Sequence, residues 1–333
     1  MILPTTTRQY CYPEPGSSIN LILQEVPIGT PKSNEVLVRT RAVSLQFGGL
    51  LIARGDTSLL PPNLVPCSDM AGEVIAVGEN VKRWSTGDRV CGNPTFGKLY
   101  ELGATGGAAL GRPNGVLTEY RIFPMPSHLS YEEVSTLPSS ALTAYNALSS
   151  GFQRLQAGDT VLVQGTGAST SFALQFAIAS GATVIATSSS DEKLKIATKL
   201  GAKHAINYNT TPDWDEEVLK LTNGLGVDCV IEVGGNKTLK RSLAAVKRAG
   251  SVDLIGVLGG MRDIPPPDIV MPCILKEVSI RGVWSGAAHW ARMSRLISAN
   301  AGGVTRPVID KVFEFEQAKE ALAYLELHWE GGY

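Results

Sequence analysis

The hydrophobic pattern changes character about a third of the way along the chain. Before residue 125, apolar and polar positions alternate in short runs. Glu35 to Val43 reads as a half-buried strand, as does Met70 to Val77, which runs into a turn at Gly78-Glu79-Asn80. Asp88 to Cys91 and Leu117 to Phe123 predict two more strands, each with glycine upstream. Helical periodicity is scarce. Many short strands separated by Gly/Pro turns predict a small barrel or a folded sheet. Asn93 to Asn114 is glycine-rich and aperiodic and reads as a loop.

From Tyr131 onward the pattern is different. Tyr131 to Ser149 predicts helix, with a break or a start at Leu137-Pro138. Val161 to Val163 is a short β-branched run suited to a buried parallel strand, followed by a turn through Gly165-Thr166-Gly167-Ala168-Ser169-Thr170. Ala173, Leu174, Phe176, Ala177 and Ile178 then make a helix apolar nearly all round, and Thr183 to Thr187 a second strand. Ser189 and Glu192 suggest a capping box for a helix carrying Leu194, Ala197 and Leu200, which Gly201 ends. Strands are predicted at His204–Tyr208, Val227–Val233, Val252–Val257 and Val278–Val283. Helices are predicted at Asp213–Asn223, at Lys237–Ala249 (closed by Gly250) and at Arg292–Asn300. Six strands with helices between most of them predict a doubly wound parallel sheet. Val308–Asp310 reads as a further strand and Phe315–Leu327 as a last helix.

Composition narrows the class. With 333 residues the chain is long enough for two domains, and 30 basic against 31 acidic side chains give a net charge of −1. No overall field therefore draws it to nucleic acid or an anionic membrane. No apolar run approaches the roughly 18 residues of a membrane span, and the N-terminus lacks a signal-peptide pattern. Cys11, Cys67, Cys91, Cys229 and Cys273 are scattered, without a C-x-x-C pair. They read as reduced thiols of a cytoplasmic protein.

The glycine turn carries the first chemistry. A helix N-terminus has unpaired N–H groups and partial positive charge, so it can hold a pyrophosphate. Gly165 permits the tight turn, and Gly167 lets the backbone approach phosphate. Thr170 stands where the usual third glycine would be. The strand before and the helix after strengthen the dinucleotide reading.

Several segments together resemble the medium-chain dehydrogenase/reductase superfamily, on its zinc-less, quinone oxidoreductase-like side. They are Val77 to Val90, Leu142 to Leu148, Val161 to Gly167, Thr187 to Lys193 and Arg306 to Asp310. The resemblance implies a catalytic GroES-like barrel domain, 1–125 with 302–333, and a Rossmann domain, 126–301, with the active site in a cleft between them. Relatives usually end with a strand after the last helix. His328 to Tyr333 is too short to supply it, so either the barrel closes differently or the natural end is truncated or altered.

Zinc-dependent relatives take their ligands from three regions. The matching positions here are Ser44 to Gln46, Ser68-Asp69 and Ser140, and none offers Cys or His. Cys67 beside them does not complete a site of three N/S ligands. Residues 92–125 hold no cysteine for a structural zinc. Both metals are expected to be absent. The resemblance places Gln46, Thr143, Asp69 and Ser140 as candidate catalytic residues and Ser44 and Phe47 in the substrate pocket. Asp69 could equally cap its strand or pair with Arg89. Tyr145 reads as a packing residue, and His128, His204, His289 and His328 as surface or packing residues.

Enzymes of this fold that use NAD usually place an acid at the end of the second strand. Here Ser188 stands there, followed by Ser189 and, one helical turn on, Lys193. In NADPH-using relatives matching residues hold the 2′-phosphate, and one matching Tyr208 lies near the adenine. The resemblance completes the cofactor set with Val233, Gly256 and Val257. It implies an NADP-dependent, zinc-independent oxidoreductase passing hydride to an enone, an enal or a quinone. The alternatives are a carbonyl reductase/alcohol dehydrogenase, or a non-redox member of the fold that binds NADPH without turnover. A homodimer through the last parallel strand is also expected.

Overall fold

The computed structural model describes residues 3–14, 20–53, 63–94, 120–151, 153–259, 265–284 and 289–329. Two compact units emerge: one takes the chain to Ser139 together with Pro307–Trp329, the other runs from Ser140 to Arg306.

The first unit is β-rich. β1 (Thr6–Cys11) and β2 (Ile22–Pro27) form an antiparallel pair that the sequence pattern does not announce. β3 (Val36–Ser44), β4 (Asp69–Val77), β5 (Arg89–Pro94) and β6 (Tyr120–Pro124) form a four-stranded antiparallel sheet in chain order. A short helix α1 (Phe47–Ala53), also not anticipated, follows β3. Met70, Ala71 and Val74 of β4 are buried, Met70 and Val74 on one face and Ala71 on the other. The turn after it needs glycine, because a Cβ on Gly78 would lie 2.0 Å from the Lys32 carbonyl oxygen. Of the loop expected at 93–114, Asn93 and Pro94 end β5, and the rest lies outside the described residues, as do Leu117 to Glu119 of the expected strand.

α2 (Tyr131–Ser135) is separated from α3 (Leu142–Ser149) by a π-helical turn, Leu137–Ala141, so the break falls at Pro138. Residues 307–329 return to the first unit. Leu322 of the last helix, α10 (Ala318–Trp329), packs with Tyr12, Leu21 and Leu64. The strand expected at Val308–Asp310 does not form: no strand pairs with it among the described residues, Val308 is 47% exposed, and Asp310 accepts a hydrogen bond from Tyr324 OH.

The second unit is a six-stranded parallel sheet flanked by helices. Its strands are β7 (Thr160–Gln164), β8 (Thr183–Ser188), β9 (His204–Asn207), β10 (Val227–Glu232), β11 (Val246–Leu254) and β12 (Ser279–Gly282). Their spatial order is β12-β11-β10-β7-β8-β9, which reverses direction between β7 and β10. Helices α4 (Ala168–Ala179), α5 (Asp191–Lys199), α6 (Trp214–Leu221), α7 (Leu239–Ala245), α8 (Val270–Lys276) and α9 (Trp290–Ala299) complete it. Leu162, Ile185, Val230, Val246 and Val252 lie in one core cluster. Gly201, at φ +109°, ends α5 as expected.

Two local expectations are corrected. The helix expected to run to Ala249 stops at Ala245. Val246 instead enters the core and pairs with Val227, and the chain kinks at Ala249, with φ +57°, before the strand continues. The cap of α5 is Ser190 rather than Ser189: Ser190 Oγ accepts from the Lys193 N–H, while Glu192 pairs with Lys195. Among the described residues, no helix is long and apolar enough to cross a membrane.

Candidate functional site

The residues singled out in the second unit gather at the carboxyl ends of its strands. Gly165 follows β7 with φ +74°, a conformation glycine adopts without strain, and its N–H donates to the Thr187 carbonyl at 2.8 Å. That bond ties the ends of β7 and β8 together. Gly167 then caps α4 with extended backbone and no side-chain partner. The N–H groups of Ala168, Ser169 and Thr170 occupy the first turn, where a helix offers them no internal acceptor. Thr170 Oγ1 donates back to the Gly167 carbonyl at 3.0 Å, and Ser171 Oγ to that of Thr166 at 3.1 Å. A Cβ on Gly167 would have nothing within 4 Å, so the face above the turn is open. Convergent donors on an open face suit an anion.

The end of β8 lies beside it. Ser188 is buried, and its carbonyl accepts from the Tyr208 N–H at 3.0 Å. Ser189 is half-buried, and its side chain hydrogen-bonds that of Tyr208, whose hydroxyl is pushed up by burial. Lys193 sits half-buried in the first turn of α5, and among the described residues no carboxylate pairs with it. No acid occupies the end of β8.

Val233, Gly256 and Val257 meet in two interlocked turns after β10 and β11. The Leu258 N–H donates to the Val233 carbonyl at 2.7 Å, and the Gly259 N–H to that of Gly234 at 3.1 Å. A Cβ on Gly256 would lie 3.0 Å from the Val233 carbonyl oxygen, and one on Gly235 3.2 Å from the Val257 Cα. Beneath these turns lies a buried polar cluster that the sequence reading missed. Gln164 Nε2 donates to Glu232 Oε2 at 2.8 Å and to Ser242 Oγ at 2.7 Å, and the Ser242 hydroxyl donates to the same carboxylate. The only sequence signal was a carboxylate at the end of a mostly apolar strand.

In the first unit, Asp69 begins β4 and is fully buried. Ser139 Oγ donates to its Oδ1 at 2.8 Å. Burial raises the carboxyl to about 7, opposed by hydrogen bonds from Ser139, Gln46 and Ser68. Among the described residues, no lysine or arginine forms an ion pair with it. Arg89, one partner considered for it, instead donates to the Leu129 carbonyl at 2.8 Å and stacks on Tyr131. Gln46 Nε2 donates to Ser44 Oγ at 3.0 Å, so Ser44, Gln46 and Asp69 form one cluster. Phe47 starts α1 next to it in the chain. The sequence reading named Ser140 but missed Ser139, which the π-helical turn aims at Asp69. Ser140 is buried on that turn and Thr143 is half-buried in α3, both in the second unit. Tyr145 packs edge-on against Phe176, with ring centroids 6.0 Å apart.

Comparison with known proteins decides the family. Residues 32–132 match the family model described as alcohol dehydrogenase GroES-like domain, and residues 170–299 that described as zinc-binding dehydrogenase. A zinc-type alcohol dehydrogenase-like protein of Schizosaccharomyces pombe is 42% identical over 304 residues, 87% of each chain. The chain belongs to the medium-chain dehydrogenase/reductase superfamily. Human quinone oxidoreductase is 26% identical over 92% of this chain and 89% of its own. The crystal structure of an NAD-dependent alcohol dehydrogenase superposes with a TM-score of 0.82, at 28% identity, over 96% of both chains. The chain is thus an oxidoreductase of this superfamily, with its Rossmann sheet and GroES-like domain.

The superfamily includes zinc enzymes, and the described residues around Asp69 do not supply the ligand set of such a site. Asp69 is a lone carboxyl among hydroxyl and amide donors, and Cys67 beside it is a single thiol, raised by burial. Among the described residues, no group of three His, Cys, Asp or Glu side chains could hold an ion. A zinc site needs three N/S/O ligands converging on one point.

Proposed function

We propose that this protein is an NADPH-dependent, zinc-independent reductase of activated double bonds, with enones, enals or quinones as substrates. The observation that carries the cofactor reading is the end of β8: Ser188 and Ser189 stand where an acid would repel a 2′-phosphate, and Lys193 is nearby with no carboxylate partner among the described residues. The α4 N-terminus, with Gly165, Thr166, Gly167, Ala168, Ser169 and Thr170, would hold the pyrophosphate. Tyr208 would lie near the adenine, and Val233, Gly256 and Val257 along the rest of the dinucleotide.

When bound, NADPH supplies a hydride to the substrate carbon and leaves as NADP⁺. The chain supplies the matching proton. Once Asp69 is protonated the bond to Ser139 reverses: the carboxyl O–H donates to Ser139 Oγ and passes its proton there as the Ser139 hydroxyl gives its own to the substrate, and Asp69 is then reprotonated from solvent. Gln46 holds the carboxyl, and the Ser44 hydroxyl, which accepts from Gln46, donates to a substrate oxygen as charge develops on it. Thr143 and Ser140 serve as further donors, and Phe47 as an apolar wall. Titration of the protein with NADPH and with NADH, followed by cofactor fluorescence, should give much tighter binding of NADPH. Elemental analysis of the same tag-free sample should give well under one zinc per chain. Preference for NADH, or a stoichiometric zinc essential to activity, would overturn this reading.

A homodimer through β12 belongs to the same proposal. Among the described residues β12 pairs only with β11, which leaves its other edge without a strand there. Val270, Met271, Ile274 and Leu275 of α8, shortly before it in the chain, are half or more exposed. An isologous pairing of two β12 strands would cover such an edge.

A further inference from the structure

We infer that Glu232 is a positioning residue for the cofactor, locking the turns after β7, β10 and β11 into one unit through its hydrogen bonds with Gln164, Ser242, Thr238 and the Gly234-Gly235 backbone. The inference rests on the dinucleotide reading above.

Glu232 is fully buried, and among the described residues it forms no ion pair. A buried carboxylate without a cation is costly unless hydrogen bonds satisfy it. Here five donors do so. Oε1 accepts from the N–H groups of Gly234 at 2.7 Å and Gly235 at 3.0 Å, and from Thr238 Oγ1. Oε2 accepts from Gln164 Nε2 at 2.8 Å and from the Ser242 hydroxyl. Gln164 completes the lock, because its Oε1 accepts from the Val233 N–H at 3.1 Å.

The position of the lock gives it its role. Gln164 is the last residue of β7, directly before Gly165. Glu232 is the last residue of β10, directly before Val233. These neighbouring strands flank the point where the strand order reverses, and ligands of open parallel sheets bind there. The turn that Glu232 holds fixes the next one too, since Ile255, Leu258 and Gly259 donate to the carbonyls of Glu232, Val233 and Gly234. One carboxylate thus joins the phosphate turn to both turns that carry Val233, Gly256 and Val257.

The donor pattern permits a test by exchange. In Glu232→Gln the new amide nitrogen faces the Gln164 amide nitrogen, donor against donor. In the double variant Gln164→Glu/Glu232→Gln, the amide oxygen at 232 still accepts from Gly234, Gly235 and Thr238. Its nitrogen donates to the carboxylate at 164, which still accepts from the Val233 N–H. Every hydrogen bond is restored with the charge moved to the other strand.

NADPH dissociation constants and amide hydrogen exchange at 233–235 and 255–259 should be measured on wild type and both variants, after melting curves confirm folding. Glu232→Gln should bind NADPH about 10- to 150-fold more weakly, the worth of a charged hydrogen bond, and exchange faster in both turns. The double variant should recover both properties. Unchanged binding and exchange in Glu232→Gln, or a double variant as weak as the single one, would overturn the inference. Failure of wild type to bind any nicotinamide dinucleotide would instead overturn the cofactor reading, and the exchange data would still decide whether Glu232 locks the turns.

Discussion

Ser139 Oγ donates to Asp69 Oδ1 across 2.8 Å, joining the π-helical turn to the first residue of β4. It gives a buried carboxyl a half-buried hydroxyl as its route outward. Burial raises that carboxyl from 3.8 to about 7. The native state therefore keeps a proton that the unfolded chain has lost, and stability falls as pH rises through that window. Asp69→Asn should remove this dependence: its melting temperature should gain on wild type between pH 5 and 8. Parallel curves for the two proteins would show that the carboxyl does not titrate there.

The same residue makes a kinetic prediction. If Asp69 stores the proton, wild-type kcat should fall as pH rises through about 7, because the acid form is lost. Asp69→Asn should lower kcat by about 10²- to 10⁴-fold and abolish that limb. Ser139→Ala should lower kcat while leaving the NADPH dissociation constant unchanged. A variant with full kcat would remove the residue from the relay.

Lys193→Ala should weaken NADPH by about 10- to 150-fold and leave NADH nearly unchanged, since only NADPH has a phosphate there. Ser188→Asp should go further by adding repulsion against the phosphate and offering a carboxylate to the NADH ribose. Both effects should shrink in high salt. Equal losses for the two cofactors in Lys193→Ala would mean that the lysine only supports α5.

Lys276 closes the other end of the sheet. Its Nζ donates to the carbonyls of Leu243, Ala244 and Val246 at 2.9, 2.8 and 2.9 Å, where α7 ends and β11 begins. Lys276→Met keeps the stem and leaves those carbonyls without the donor. It should cost about 1.5–3 kcal/mol of stability, read as a lower denaturant midpoint at unchanged slope. A loss of a few tenths would show that water replaces the ammonium.

Light scattering should give about twice the chain mass, and Ile274→Glu with Leu275→Glu should reduce it toward one. Both side chains are more than three-fifths exposed in the single chain, so folding should survive the change. A concentration-independent monomer for wild type would contradict the β12 interface.

The parallel sheet was legible because a strand buried on both faces is largely apolar, as Val161–Val163 is throughout and Val227–Val233 is apart from Asp228 and Glu232. β1 and β2 were not, because residues such as Ile22 and Leu23, each 43% exposed, follow no burial pattern. At Val246 the local helical spacing lost to a pairing with Val227 that only the fold supplies. The Gly165–Thr170 turn could be read from its own residues. The Glu232 cluster could not, since its partner Gln164 lies 68 positions away in sequence. Ser139 was missed by one residue: an ordinary helical turn gives no reason to prefer it to Ser140, and the π-helical turn does.

The central claim is that this chain passes hydride from NADPH to an activated double bond or quinone without zinc. Its most direct test is NADPH consumption by purified, chelator-treated protein against a panel of enones, enals and quinones, beside NADP⁺ or NAD⁺ reduction with alcohols. The account predicts turnover of at least one enone, enal or quinone with NADPH, far slower turnover with NADH, and none with alcohols. Tight NADPH binding with no turnover of any compound, or activity only with alcohols and added zinc, would contradict it.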